Sequence, residues 1–252
     1  MRQTTRNLII CCAFTFLAAC GGGGGGGSSV TDPAVSFPLR QAISDFVSNG
    51  KSEYYSFEGS FKNTDGSPYS VNGELQYSKT AASSITFEGR NAVRYTYSFA
   101  GDITFKDLLV NGVKNTIVQA YPTKTFNSYW DAITYSELGS LSSSSYRVNS
   151  TVTATPAFVK VGQQGTLFTA VDYLNFTKST QQGTSTATFE VLPDTASSVL
   201  IKITEVNADA NGANLLTEIN SFRVNLSGTL ERVSAAITYQ NGDKATLTRI
   251  NK

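Results

Sequence analysis

Histidine is absent from all 252 residues. That removes the general base of Ser-His-Asp and Cys-His catalysis and the commonest protein ligand of zinc and copper. Cysteine occurs three times, at Cys11, Cys12 and Cys20. The chain beyond residue 20 therefore forms no internal disulfide and supplies no thiolate nucleophile. Met1 is the only methionine and Trp130 the only tryptophan. Neither a G-x-S-x-G elbow nor an H-E-x-x-H pair occurs. Charge is sparse: 15% of residues carry one, and the formal net charge is +1. Without a basic surplus there is no electrostatic case for nucleic acid as a partner. An enzyme built from this inventory would have to work with carboxylates, Lys, Tyr, Ser or a hard metal ion.

What is present begins at the N-terminus. Arg2 and Arg6 precede Leu8–Ala19, a mostly apolar run too short to cross a bilayer, which takes about 20 helical residues. A basic start, a short apolar core and small residues at its end fit a secretory signal peptide over residues 1–19. Leu17-Ala18-Ala19-Cys20 resembles the lipobox of bacterial lipoproteins. The resemblance implies cleavage before Cys20 and a diacylglycerol on its sulfur. It also implies three acyl chains, hence a stable membrane anchor, since one chain holds only marginally. Gly21 stands where an Asp would imply retention at the inner membrane, so the resemblance points to the outer membrane.

Gly21–Gly27 and Ser28-Ser29 then read as a tether within residues 20–36. Cys20 to Pro33 has an r.m.s. reach of roughly 20 Å as a flexible coil. A phosphate-binding glycine loop would need a preceding strand, a following helix and usually a Lys, and none is there.

Residues 37–252 read as an all-β domain with one short N-terminal helix. Leu39, Ile43, Phe46 and Val47 share a helical face, with Pro38 at the first helical position, Ser36 as a cap and Asn49-Gly50 as a stop. Period-two alternation marks strands at Val93, Tyr95, Tyr97 and Phe99. It recurs at Val199, Ile201 and Ile203, and again at Val233, Ala235, Ile237 and Tyr239. Asn63-Thr64-Asp65-Gly66, Asn111-Gly112 and Gln240-Asn241-Gly242-Asp243 are hairpin turns. The expected architecture is antiparallel, either a sandwich or an open curved barrel. Tyr77–Thr80, Thr86–Glu88 and Val93 are echoed by Phe176–Ser179, Thr188–Glu190 and Val199. The echo allows two related lobes meeting near residues 138–157, with Gly139–Ser145 as connector; it is equally the repetition expected of any Thr-rich β chain.

Three groups are candidate sites. Asn207, Asp209, Asn211, Gly212, Ala213 and Glu218 approach the calcium loop D-x-[DN]-x-[DN]-G-x₅-E, with Ala213 offering a carbonyl and Glu218 a bidentate carboxylate. The first position is Asn, and the flanks read as strands where an EF-hand needs helices; a polar hairpin loop explains the same residues. Tyr129 and Trp130, with Tyr135 and Tyr146, could stack on a sugar or peptide, or pack as core. Asp131, Glu137, Asp172, Glu190 and Glu205 could supply an acid–base pair if two faced each other. Apart from calcium no cofactor is suggested.

Val161–Leu167 and Leu192–Ser198 are similar to segments of uncharacterised β-rich lipoproteins of proteobacteria, a family with no activity to carry over. Read from the residues alone, both are turns, with Pro193-Asp194 closing a strand. The expected role is a non-catalytic binding or interaction module at the outer membrane, with an envelope protein, glycan or lipid as partner. The alternatives are a periplasmic carrier or chaperone for an apolar ligand and a carboxylate-dependent glycan hydrolase.

Overall fold

The structure, a computed structural model, describes residues 31–252. The signal peptide, Cys20 and the glycine run lie outside the described residues. One helix, α1 (Leu39–Ser48), precedes thirteen strands. These are β1 (Lys51–Lys62), β2 (Pro68–Lys79), β3 (Ser83–Phe87), β4 (Arg90–Val110), β5 (Val113–Asp131), β6 (Glu137–Leu141) and β7 (Tyr146–Val152). They continue with β8 (Gln164–Tyr173), β9 (Gln181–Thr195), β10 (Ser198–Asp209), β11 (Asn214–Asn225), β12 (Leu230–Tyr239) and β13 (Lys244–Ile250).

All pairings are antiparallel, and the sheet closes. β1 bridges β2 and β13, and β4 pairs with β3 over Arg90–Arg94 and then with β2 over Tyr97–Lys106. Twelve strands thus form a ring, with β3 attached to β4 alone. A sandwich or an open barrel was expected; the 21 residues of β4 reach far enough past β3 to complete the circle. Glycines help the wall bend. A Cβ on Gly101, whose φ is +156°, would lie 2.1 Å from the Glu74 carbonyl oxygen across the β2–β4 seam. The ladder to β5 slips a residue between Phe99 and Gly101, the kind of bulge that adds curvature.

The alternation read from the sequence decides inside from outside. Tyr95, Tyr97, Phe99, Ile103 and Phe105 of β4 fill the interior with Val199, Ile201 and Ile203 of β10. Along β12 the pattern differs from expectation. Val233 is only half buried and Arg232 is buried, because the pairing slips opposite Ser221/Phe222. The outer wall is polar: Thr184, Thr186 and Thr188 of β9 and Glu58 and Ser60 of β1 alternate with buried neighbours or glycine. An apolar lipid-facing band, the mark of a membrane-spanning barrel, would need the reverse on these strands.

α1 covers one rim and buries Leu39, Ala42, Phe46 and Val47. Pro38 stands at the N-cap, one place earlier than expected, and no side chain caps it. The Lys79 ammonium donates to the carbonyls of Val47 and Asn49 at the other end, where the helix dipole favours a cation. The chain enters on the same rim: Thr31 Oγ1 donates to the Thr195 and Ser198 carbonyls at 2.6 and 2.8 Å, and Phe37 bridges Val159. The three predicted hairpin turns join β1–β2, β4–β5 and β12–β13, with Gly66, Gly112 and Gly242 at positive φ. Gly139–Leu141, expected in a connector, belong instead to β6, while Pro193-Asp194 closes β9, which ends at Thr195 before the turn into β10. The two echoed segments occupy unlike settings: Tyr77 is buried in β2, whereas Phe176 is 71% exposed in the loop between β8 and β9.

Candidate functional site

The inward face of β10 continues Val199, Ile201, Ile203 with Glu205 and Asn207. A period-two strand that turns polar without changing parity carries its polar groups into the barrel. There they meet Arg147 of β7. Its Nε donates to Asp172 Oδ1 at 2.8 Å and its Nη1 to Glu205 Oε1 at 2.6 Å. Its Nη2 donates to Ser185 Oγ at 2.7 Å and to Asn207 Oδ1 at 2.8 Å. Ser185 Oγ in turn lies 2.7 Å from both Asp172 Oδ2 and Asn207 Oδ1. A buried guanidinium is tolerable when its donors are matched this way, because desolvation otherwise costs several kcal/mol.

Two more glutamates enter the layer. Glu218 of β11 stands directly opposite Glu205 in the ladder, and both carboxyls are buried. Burial, reinforced by the Glu205 charge, pushes the Glu218 carboxyl well above the carboxylate range. Burial likewise raises Glu137, against the pull of Arg147. Burial would also raise Asp172, but the charge and hydrogen bonds of Arg147 and a bond from Ser185 outweigh it and hold it low. The layer thus sets a guanidinium ion-paired to Asp172 and Glu205 beside two carboxyls, Glu137 and Glu218, whose ionised forms burial disfavours. A second buried cation, Arg232, lies 4.9 Å above the Tyr77 ring and 5.9 Å from that of Tyr55.

Between α1 and this layer lies a cavity of about 50 Å³. Leu39, Ile43, Trp130, Phe168, Ile203 and Phe222 line it, and Glu137 is its one ionisable wall residue. Glu137 Oε2 has no hydrogen-bond partner. An engineered apolar cavity of about 150 Å³ takes up benzene, so this one is small. Arg147, Glu205 and Glu218 are each at most 2% exposed, while Asp172 and Asn207 at the other side of the guanidinium are only partly buried.

The residues singled out in the sequence are placed as follows. Trp130 points into the barrel, 6.5 Å from Tyr95, and its Nε1 donates to Ser128 Oγ at 2.7 Å. Tyr129, its neighbour on β5, points outward and stacks on Phe87 at 4.2 Å beneath the β3–β4 hairpin. Trp130 and Tyr129 are 2% and 7% exposed; Tyr146 joins Tyr129 in the same outer cluster and donates to Glu88 at 2.5 Å. The calcium-loop residues divide between two settings. Asp209 Oδ1 accepts from the amides of Asn211 and Ala213 and so closes the β10–β11 turn at Gly212. Asn207 and Glu218 face the interior, held by Arg147 and beside Glu205. Among the described residues no group of three acidic or thiol side chains is arranged to hold a metal ion. Of the five carboxylates, Glu137, Asp172 and Glu205 converge on Arg147. Asp131 caps the turn at Ile133 and Thr134, and Glu190 faces Lys202 outside.

Sequence reasoning missed Arg147, Arg232 and Ser185. Parity was the available signal for Ser185, which keeps step with Ala187 and Val191 on β9. For Arg232 parity is broken by the bulge next to it in β12; in β7 the apolar residues Tyr146 and Val148 pack in the outer cluster, so the alternation turns Arg147 inward against the usual sense. Comparison of the chain with protein-family models, curated proteins and solved structures finds no match. The chemical capacity of the site thus rests on its own geometry. It holds charge in place, and its acids face a guanidinium and one another.

Proposed function

We propose that this chain is a lipoprotein of the outer membrane, anchored through Cys20, whose barrel is a non-catalytic binding or interaction module for an envelope protein, glycan or lipid. The single observation that carries the second half is the committed interior: Arg147 spends its donors on Asp172, Glu205, Ser185 and Asn207 inside a filled barrel. A hydrolase acting through two carboxyls needs them about 5–9 Å apart across an accessible cleft, and here Glu137, Glu205 and Glu218 are buried. A carrier of apolar ligands needs more room than about 50 Å³. With the inside occupied, recognition falls to the outer wall and the rims.

The anchor is tested by Cys20→Ser. The account expects the unmodified protein to leave the membrane fraction, and the mature wild-type N-terminus to carry diacylglyceryl mass. A Cys20→Ser protein that still sediments with membranes contradicts it. Organic extraction of the purified protein should yield no stoichiometric lipid beyond the anchor; a second lipid per chain would favour the carrier.

A further inference from the structure

The ring is not evenly sealed. β5 pairs with β4 from Val113 to Asp131 but with β6 only from Asn127 to Trp130. The β6–β7 hairpin turns back at Ser142–Ser145, level with Asn127, while on the other side of β4 the strand β2 runs on to Ser70 opposite Lys106. The stagger that closes a barrel is concentrated at this one seam. Among the described residues no strand pairs with Val113–Ala120 on the side away from β4. An exposed edge of this kind offers a row of backbone N–H and C=O groups to an incoming strand.

We propose that the Val113–Ala120 edge of β5 docks an extended, acidic segment of a partner protein by strand addition. The inference rests on the reading of the barrel as an interaction module and names its surface. Val113 and Val118 are 62% and 66% exposed, and Ile117 leans on the core beside them. Val113 and Ile117 share one face of β5 and Val118 shares the other with Lys114; alternate apolar side chains of an added strand would cover Val113 beside Ile117, and the residues between them would meet the Lys114 face. Between Val113 and Phe126 the only charged residues are Lys114 and Lys124, with no acid. Opposite charges pair favourably across neighbouring strands and like charges do not, so an added strand is selected for Asp or Glu. A second copy of β5 brings no carboxylate to this stretch and is the poorer match. The other strand paired on one side only, β3, is five residues long and offers a shorter edge.

The test is hydrogen exchange read by mass spectrometry on the mature full-length protein in detergent. It is titrated with a blocked nine-residue peptide alternating Val and Glu, and separately with one alternating Val and Lys. The expected result is about tenfold slower exchange across 113–120 with the Val-Glu peptide alone. In the variant carrying Lys114→Glu and Lys124→Glu the preference should invert to the Val-Lys peptide, with the thermal midpoint unchanged as the check on folding. No protection by either peptide, or equal protection by both, overturns the proposal. So does protection that grows with protein concentration in the absence of peptide, which would assign the edge to a second copy. A partner that photo-crosslinks from Thr186 on the β9 wall and not from Val118 removes the β5 edge and leaves the module reading standing.

Discussion

At the scale of single residues, Arg147 carries the largest consequence. Its removal leaves Asp172 and Glu205 buried without their cation, and breaking a buried pair in this way costs about 3–5 kcal/mol. Arg147→Met should lower the unfolding free energy from urea titration by that amount, and a loss under 1 kcal/mol would show that the layer is not what it looks like. The carboxyls predict the pH dependence. Glu218, whose folded pKa lies above its model value of 4.5, binds its proton more tightly in the folded chain. Its contribution is fully present below about pH 4.5 and is lost as pH rises toward the folded value. Asp172, held below 3.8, contributes in the opposite sense: its share is present above that value and lost as pH falls. Glu218→Gln should therefore unfold at higher urea than wild type at pH 8, with the difference shrinking toward pH 4. An unchanged difference would mean that folding does not raise the Glu218 pKa. Legibility at this scale was uneven. Glu205 and Asn207 could be read as interior from the parity of Val199, Ile201 and Ile203, whereas Arg232 lies beside a bulge, where a one-residue slip reverses which face a side chain takes, and Arg147 alternates with Tyr146 and Val148, apolar residues that pack on the outside.

Elements were easier to read than their partners. α1 followed from its apolar spacing, the hairpins from their Asn-Gly and Asp-Gly turns, and β4 and β10 from strict alternation. β6 did not, because Gly139-Ser140 and the serines after Leu141 have the composition of a loop. Gly139 is there for another reason: a Cβ on it would lie 2.2 Å from the Arg147 carbonyl oxygen and 2.9 Å from Phe87. The attachment of α1 depends on Lys79, whose ammonium closes the helix C-terminus and lies 4.9 and 4.8 Å from the rings of Phe46 and Tyr95. Burial, with Lys51 adding repulsion, lowers its pKa to about 8 from 10.5. The folded chain releases this proton before the unfolded chain does, so the cost of the buried charge is relieved as pH rises from about 8 to 10.5. Lys79→Met should lose about 2 kcal/mol of charged hydrogen bonding at pH 7. It should also lose the upward slope between pH 8 and 10.5 that wild type shows in urea titrations. A variant that keeps the slope would place its origin elsewhere.

For the whole molecule, alternation alone leaves sandwich and barrel open, since both bury one face of each strand. Closure is decided by pairings between segments distant in sequence, Tyr54 with Ile250 and Leu75 with Gly101, which no local pattern encodes. Once the ring closes there is a single interior, which must be filled, and the sequence fills it with aromatics at one level and with the Arg147 layer at another. The account of function follows from that filling: an occupied interior leaves the polar wall, the rims and the β5 edge as the surfaces that meet other molecules. Its central claim is the closed ring. Backbone nuclear Overhauser contacts between β2 and β4 and between β5 and β6, collected on one sample, test it most directly. The account predicts cross-strand contacts at both Leu75–Gly101 and Ser128–Ser140; contacts at only one of the two seams would mean an open sheet and contradict it.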